Sequence, residues 1–320
     1  MKILLILFIF YFLTSSYGFI SRLSVPRQFH QLKNDIRFDF QQYNDYNNIL
    51  KFLRNLNTTF ADYVDMEIVG RTFENKSLVL LKLGRIHARE WISPATVLWY
   101  IHQIFDDFKN YEKILKTIDI YIVPLLNPDG YQYSRKHFRY WRKNRAVYDS
   151  DCVGVDLNRN FPYHWGEAAS DQCGVEVYQG PNPESEKETK ILEKVLKRHK
   201  KNYKAYLTVH SYAGMILYPW GYAADTLPPD VEDLVKLGHR MADAMEAATG
   251  QYYKVQNSAD LYPASGASDD YAKSLGIKYS YTIEISGRDF VENEENIPKK
   301  AAEIKAAFDT VIQQVIDEFA

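Results

Sequence analysis

A β-rich run, Ser77–Leu83, soon gives way to a helical pattern that starts near Ser93-Pro94, and the junction carries His87 and Glu90. Side chains three positions apart can face one point from the first turn of a helix. A second histidine, His210, stands far along the chain in Thr208-Val-His-Ser-Tyr212. If the fold brings it to that point, two imidazoles and one carboxylate converge. Such a donor set binds zinc and leaves a fourth position open for water. The ion can make that water a nucleophile near neutral pH. The pattern therefore constrains the fold as well as the chemistry. A strand–helix junction has to meet a residue from the far half of the chain.

The bare spacing decides little, because it recurs at His164-Trp-Gly-Glu167. That second pair sits among Gly, Pro and aromatic residues between Cys152 and Cys173 and reads as an incidental loop pair. Context separates the two.

The chain has 320 residues, 46 % hydrophobic and 25 % charged, with a net charge of −2. This composition is ordinary for a globular protein that buries a large core in one domain or two. No basic stripe stands out, so binding to nucleic acid or to an anionic membrane is disfavoured. The 25 tyrosines imply an interior with many hydroxyls in need of partners.

The N-terminus reads as a secretory signal peptide over residues 1–18. Lys2 gives a charged start, Ile3–Leu13 is apolar, and Ser16-Tyr17-Gly18 supplies small residues before a cut. The run is too short for a stable membrane span. The expected mature protein is secreted, extracellular and monomeric. Cys152 and Cys173 are the only cysteines. In an oxidising compartment they read as one disulfide, with a free thiol or a metal ligand as the alternative. Asn57-Thr-Thr59 and Asn75-Lys-Ser77 are glycosylation sequons.

Strand-like runs fall at Met66–Val69, Leu78–Leu83, Ile118–Val123, Ala205–Val209 and Ile277–Ile283. Helical patterns fall at Tyr43–Leu56, Pro94–Phe108, Pro183–Lys200, Pro229–Ala248 and Pro298–Phe319. Pro94, Pro183 and Pro229 read as helix starts, where a missing N–H costs nothing. The alternation predicts an α/β fold, a single-domain sandwich. Its centre is a mixed, mostly parallel twisted sheet with helices on both faces. Residues 127–179 read as loops, which on such a scaffold commonly carry the site.

Six segments occur in order: Gly84-Arg-Ile-His-Ala-Arg-Glu-Trp91, Asn127-Pro-Asp-Gly-Tyr131, Asp156-Leu-Asn-Arg-Asn160, Thr208-Val-His-Ser-Tyr212, Leu261-Tyr-Pro-Ala-Ser-Gly266 and Tyr281-Thr-Ile-Glu284. Together they make the chain from about Phe40 onward resemble zinc metallocarboxypeptidases of the pancreatic A/B type. The resemblance implies His87, Glu90 and His210 as ligands of one Zn2+. It implies Asp156 as the carboxylate that orients His87, a usual companion of ligand histidines. Glu284 matches the general base and Arg142 the arginine that stabilises the oxyanion. Asn158 and Arg159 match the clamp on the substrate's terminal carboxylate, for which a guanidinium suits. Tyr262 matches the tyrosine that closes over the substrate, and Arg89 and Tyr212 match residues of the cleft. Cysteines in the places of Cys152 and Cys173 are bridged in the family.

Asp269 falls where the resembled enzymes place the floor of the specificity pocket, aspartate in type B and an apolar residue in type A. A carboxylate there implies removal of C-terminal Lys or Arg, since an apolar side chain would leave it unpaired. The competing reading is that Asp269 or Asp270 caps the following helix. The expected partners are peptide or protein C-termini. An A-like enzyme for apolar termini, or a C-terminal peptide-binding pseudoenzyme, are the alternatives.

Three departures from the family pattern stand out. Only a short segment, residues 19–38, precedes the catalytic part at 39–320, where the family usually carries a large inhibitory pro-domain. Leu78–Leu83 runs almost directly into His87, where the family has a turn and another strand. The stretch from Glu284 to Phe290 is shortened.

Overall fold

In the computed structural model, which describes residues 24–36, 38–61, 63–80 and 89–320, β1 (Glu67–Arg71) and β2 (Ser77–Leu80) form an antiparallel hairpin. A four-stranded sheet comprises β3 (Ala205–Ser211), β4 (Met215–Tyr218), β5 (Lys254–Asn257) and β6 (Tyr279–Ile285), in the spatial order β3-β6-β4-β5. β3 runs parallel to β6 and β4 parallel to β5, while β4 and β6 are antiparallel. The fold is thus the expected single α/β domain with a mixed, mostly parallel sheet.

The helices are α1 (Ser24–Ile36), α2 (Tyr46–Thr59), α3 (Ile92–Asp106), α4 (Phe108–Thr117), α5 (Pro128–Lys136), α6 (Lys187–Arg198), α7 (Val231–Thr249), α8 (Ser268–Ser274) and α9 (Ile297–Phe319). Local signals explain several of their ends. Asp45 caps α2 by accepting from Asn48 N at 2.9 Å. α7 stops at Gly250, whose φ of 75° is the left-handed conformation that glycine adopts freely. In α9 the stripe Ile304, Phe308, Val311 and Val315 is buried against α3 and α7. Each such side chain stabilises by about 1.5–3 kcal/mol.

The two faces of the central sheet differ in chemistry. Tyr281 donates to Leu234 O of α7 at 2.8 Å, so the odd-numbered residues of β6 face the helical layer. Leu207, Val209, Tyr281, Ile283 and Ile285 make that face apolar and buried. Successive side chains of a strand point to opposite faces. Ser280, Thr282 and Glu284 therefore share the other face, where Ser280 Oγ donates to Asp269 O of α8 at 2.7 Å. β3 is buried throughout and β6 everywhere except Glu284, as expected for strands covered on both sides.

Some elements differ from the sequence reading. Ile118–Val123, predicted as a strand, is buried, but only Asp119 joins a bridge and no ladder forms there among the described residues. A continuous apolar run reports burial; pairing depends on a neighbour that the run does not encode. β4 and β5, four residues each, were too short to register. Pro183 lies ahead of α6, which begins at Lys187, so it does not start that helix. α5 falls inside the stretch read as loops, because Asn127 caps it through Gly130 N at 2.9 Å and Pro128 takes the first turn. α1 was not anticipated. Its Phe29 is fully buried among the rings of Phe40, Phe52, Phe60 and Phe105.

Candidate active site

β3 and β6 place the candidate residues. In their parallel ladder Thr208 lies opposite Thr282, and His210 opposite Glu284. All four are even-numbered and share the polar face of the sheet. His210 is 1 % exposed, and its Nδ1 stands 3.2 Å from Glu90 Oε2. Its other nitrogen, Nε2, is 3.1 Å from Thr208 Oγ1. Glu90 precedes α3 and is 2 % exposed. The structure thus brings Glu90, at the start of the junction, together with the distant His210. His87, the third expected ligand, lies outside the described residues.

The Glu90–His210 pair can be tested against a metal. A carboxylate oxygen and an imidazole nitrogen are donors that zinc accepts at about 2.0–2.2 Å in a tetrahedron, which sets two such donors about 3.3 Å apart. The observed 3.2 Å fits, and the Thr208 hydroxyl on the far nitrogen is the kind of outer contact that orients a ligand histidine. Among the described residues these two form a pair and not a group of three.

Asp156 is fully buried. Its Oδ2 accepts from Arg142 Nε at 2.9 Å and lies 2.8 Å from another nitrogen of the same guanidinium. Its Oδ1 accepts from Asn158 N at 3.0 Å. Burial alone would lower the pKa of Arg142, but the charges of Asp156 and Glu90 outweigh it and hold the group above its ordinary value. Arg142 is thus a fixed cation beside Glu90.

Arg159 is 3 % exposed. It donates to Asn158 O at 2.7 Å, and another of its nitrogens is 3.4 Å from the hydroxyl of Tyr262, which is 53 % exposed. Asn158 Oδ1 accepts from Ser268 N at 2.9 Å, which ties the candidate clamp to the start of α8. Gly266 completes the joint. With φ at 69°, a Cβ there would sit 2.4 Å from Arg159 O, so only glycine lets the two loops meet.

Asp269 is 3 % exposed, and its Oδ2 accepts from Thr282 Oγ1 at 3.0 Å. α8 is capped by Ala267 without a side-chain bond, so neither aspartate caps it. Asp270 instead accepts from Gly221 N at 2.9 Å and Tyr222 N at 3.0 Å, which anchors the loop after β4. Burial, and then the neighbouring Asp269 charge, raise the Asp270 carboxyl well above its ordinary pKa.

Arg89 lies under Phe290, with its guanidinium carbon 4.0 Å from the ring centre. It donates to Tyr140 O at 3.1 Å and to Glu176 Oε1 at 2.8 Å. Tyr212 meets the same Phe290 ring edge-on at 4.9 Å. Cys152 and Cys173 form the disulfide. His164 bonds Glu167 at 2.8 Å and stacks on Tyr222 at 3.5 Å, which agrees with an incidental loop pair.

Thr208, Thr282 and Glu176 escaped the sequence reading. The first two had a signal in the period-two alternation of the strands, where Thr208, Thr282 and Glu284 are polar between apolar neighbours. Glu176 had none, since its partner Arg89 is distant in sequence.

Residues 49–307 match the zinc carboxypeptidase family. The chain belongs to that family. Carboxypeptidase B of Astacus astacus is 39 % identical over 265 residues, covering 77 % of this chain and 87 % of its own. Mast cell carboxypeptidase A of Rattus norvegicus is 36 % identical over 282 residues, covering 82 % and 68 %. Among solved structures, bovine thrombin-activatable fibrinolysis inhibitor in complex with tick carboxypeptidase inhibitor superimposes with a TM-score of 0.79 at 36 % identity. That match covers 87 % of this chain and 99 % of the other. Carboxypeptidase A of Helicoverpa armigera gives 0.82 at 27 % identity, covering 92 % and 82 %. This is a metallocarboxypeptidase with relatives of both B and A type, and the family implies zinc. No helix among the described residues is long and apolar enough to cross a membrane.

Proposed function

We propose that this metallocarboxypeptidase removes C-terminal Lys or Arg from peptides and proteins outside the cell. The observation that carries the specificity is the buried Asp269 carboxylate, bonded to Thr282 two positions before Glu284 on the same strand face. A basic terminal side chain would pair with it. An apolar one would leave a buried charge without a cation.

Arg159 and Asn158 grip the terminal carboxylate, and Tyr262 closes over it. Arg89 and Tyr212 line the cleft on the upstream side. Glu284 accepts a proton from the attacking water and returns it to the departing amine. Arg142 stands where negative charge develops on the carbonyl oxygen and stabilises it. His87, Glu90 and His210 would hold zinc, and Asp156 would orient His87. Zinc, when bound, supplies Lewis acidity and a more acidic water.

Residues 1–18 are read as a removed signal, 19–38 as a short N-terminal segment and 39–320 as the catalytic domain, working as a monomer. Asn57 in the last turn of α2 and exposed Asn75 between β1 and β2 would accept glycans outside the cell.

The test is hydrolysis of paired peptides ending in Arg or in Phe by the purified zinc-loaded protein, with chelator and Glu284→Gln controls. Chelator-sensitive release of Arg, lost in the variant, supports the reading. Preference for Phe would make the enzyme A-like. Tight binding of both peptides without turnover would make it a binding protein.

A further inference from the structure

Arg142 and Asp156 come from different segments, which a short antiparallel bridge at Val147 and Val153 and the amide of Asn144 join. The backbone N–H of Asn144 donates to Val155 O at 3.0 Å. Its side-chain oxygen accepts from Val155 N at 2.8 Å. That bond fixes the amide's orientation and turns Nδ2 toward two carboxyls of the α6 start. Nδ2 donates to Glu186 Oε2 at 2.6 Å and lies 3.4 Å from Glu188 Oε2. Asn144 is fully buried, Glu186 is 2 % exposed and Glu188 is 0 % exposed.

No cation pairs with either glutamate among the described residues. Glu186 also accepts from Ser185 Oγ at 2.6 Å and from the Tyr148 hydroxyl. Glu188 Oε1 is buried with no hydrogen-bond partner. The charges facing Glu188 are Glu186 on its own segment and Asp129 from α5, the latter already paired with Lys76 at 2.9 Å. An ionised carboxylate in such a place is expensive. Burial, then Glu186 and Asp129, push Glu188 up to about 8, so it carries a proton at neutral pH.

We propose that Asn144, held by the buried carboxyls of Glu186 and Glu188, is a positioning residue that sets Arg142 against Asp156. The inference rests on the reading of Arg142 as the oxyanion arginine. Ionisation of Glu188 would put two negative charges beside one amide, loosen the joint and let Arg142 drift from the developing oxyanion. Turnover would then fall on the alkaline side while substrate affinity changes little.

The experiment measures kcat and KM separately from pH 6 to 10, and the melting temperature over the same range. It uses the zinc-loaded mature protein and its Glu188→Gln and Asn144→Asp variants. Glu188→Gln keeps the neutral shape without the titration. Its alkaline limb in kcat is expected to move up by about one pH unit or more. Asn144→Asp is expected to lower kcat about tenfold or more, with KM within about twofold. The folded protein retains a proton that the unfolded chain releases above about 4.5, so Glu188 makes wild-type stability fall up to about pH 8. Glu188→Gln should lack that part of the slope.

An active wild type whose alkaline limb and melting slope both persist in Glu188→Gln overturns the positioning role alone. An inactive wild type overturns the reading of Arg142 and the positioning role with it, while the melting slope still decides whether Glu188 holds the proton. Should Asn144→Asp fail to fold, the Glu188→Gln comparison decides alone.

Discussion

His210 and Glu284 occupy opposite positions in the parallel ladder between β3 and β6. One strand pair thus fixes a candidate zinc ligand beside the candidate base, with no loop between them to move. Sites built on strands hold their geometry more closely than sites built on loops.

Substituting Glu284→Gln should lower kcat by about 10²–10⁴-fold and leave the fold and bound zinc intact. Circular dichroism and metal analysis on the same sample check the second half. Retention of more than a tenth of the activity would remove Glu284 from the role of base.

Replacing Asp269 by Leu should invert the preference for Arg over Phe termini, by about 10²-fold or more in the ratio of kcat/KM. Thr282→Val should weaken the preference without inverting it, since it removes only the hydroxyl that Asp269 accepts from. Ratios unchanged in both variants would place the specificity determinant elsewhere.

Arg142→Ala should lower kcat by about 10²–10³-fold with little change in KM, because the charge acts on the developing oxyanion. Arg142→Lys should recover only part of this, since a single ammonium cannot reproduce the two contacts to Asp156. A rise in KM alone would instead assign Arg142 to substrate binding.

The Asp270 carboxyl, raised well above its ordinary value, should make stability fall as pH rises. The folded state retains a proton that the unfolded chain releases near pH 4, so the contribution is complete below that value and lost as pH climbs through the folded one. Asp270→Asn should flatten this part of the melting-temperature profile. A profile parallel to wild type would show that Asp270 is ionised throughout.

Removing the disulfide with Cys152→Ser and Cys173→Ser should cost about 3 kcal/mol, from the entropy of closing a loop of 21 residues. Denaturant unfolding of the zinc-loaded protein measures it. A cost below about 1 kcal/mol would mean that the loop is ordered by Lys143, which donates to Cys173 O at 2.7 Å, and by its other contacts.

The amino-acid sequence by itself determined the α/β class and most helices, and it named the residues of the candidate site. Those features rest on local periodicity and on short motifs whose residues are close in the chain, such as Asp156-Leu-Asn-Arg159. The tertiary structure decided what depends on neighbours. Among the described residues it left Ile118–Val123 out of a ladder, added the short strands β4 and β5, and put Ala267 at the cap of α8 with Asp269 bonded to Thr282 instead. It also gathered Asn144, Glu186 and Glu188 around the joint behind Arg142. The physical reason is common to all of these. A hydrogen bond or a buried charge is specified by what stands opposite it, and the chain shows that partner only after it has folded.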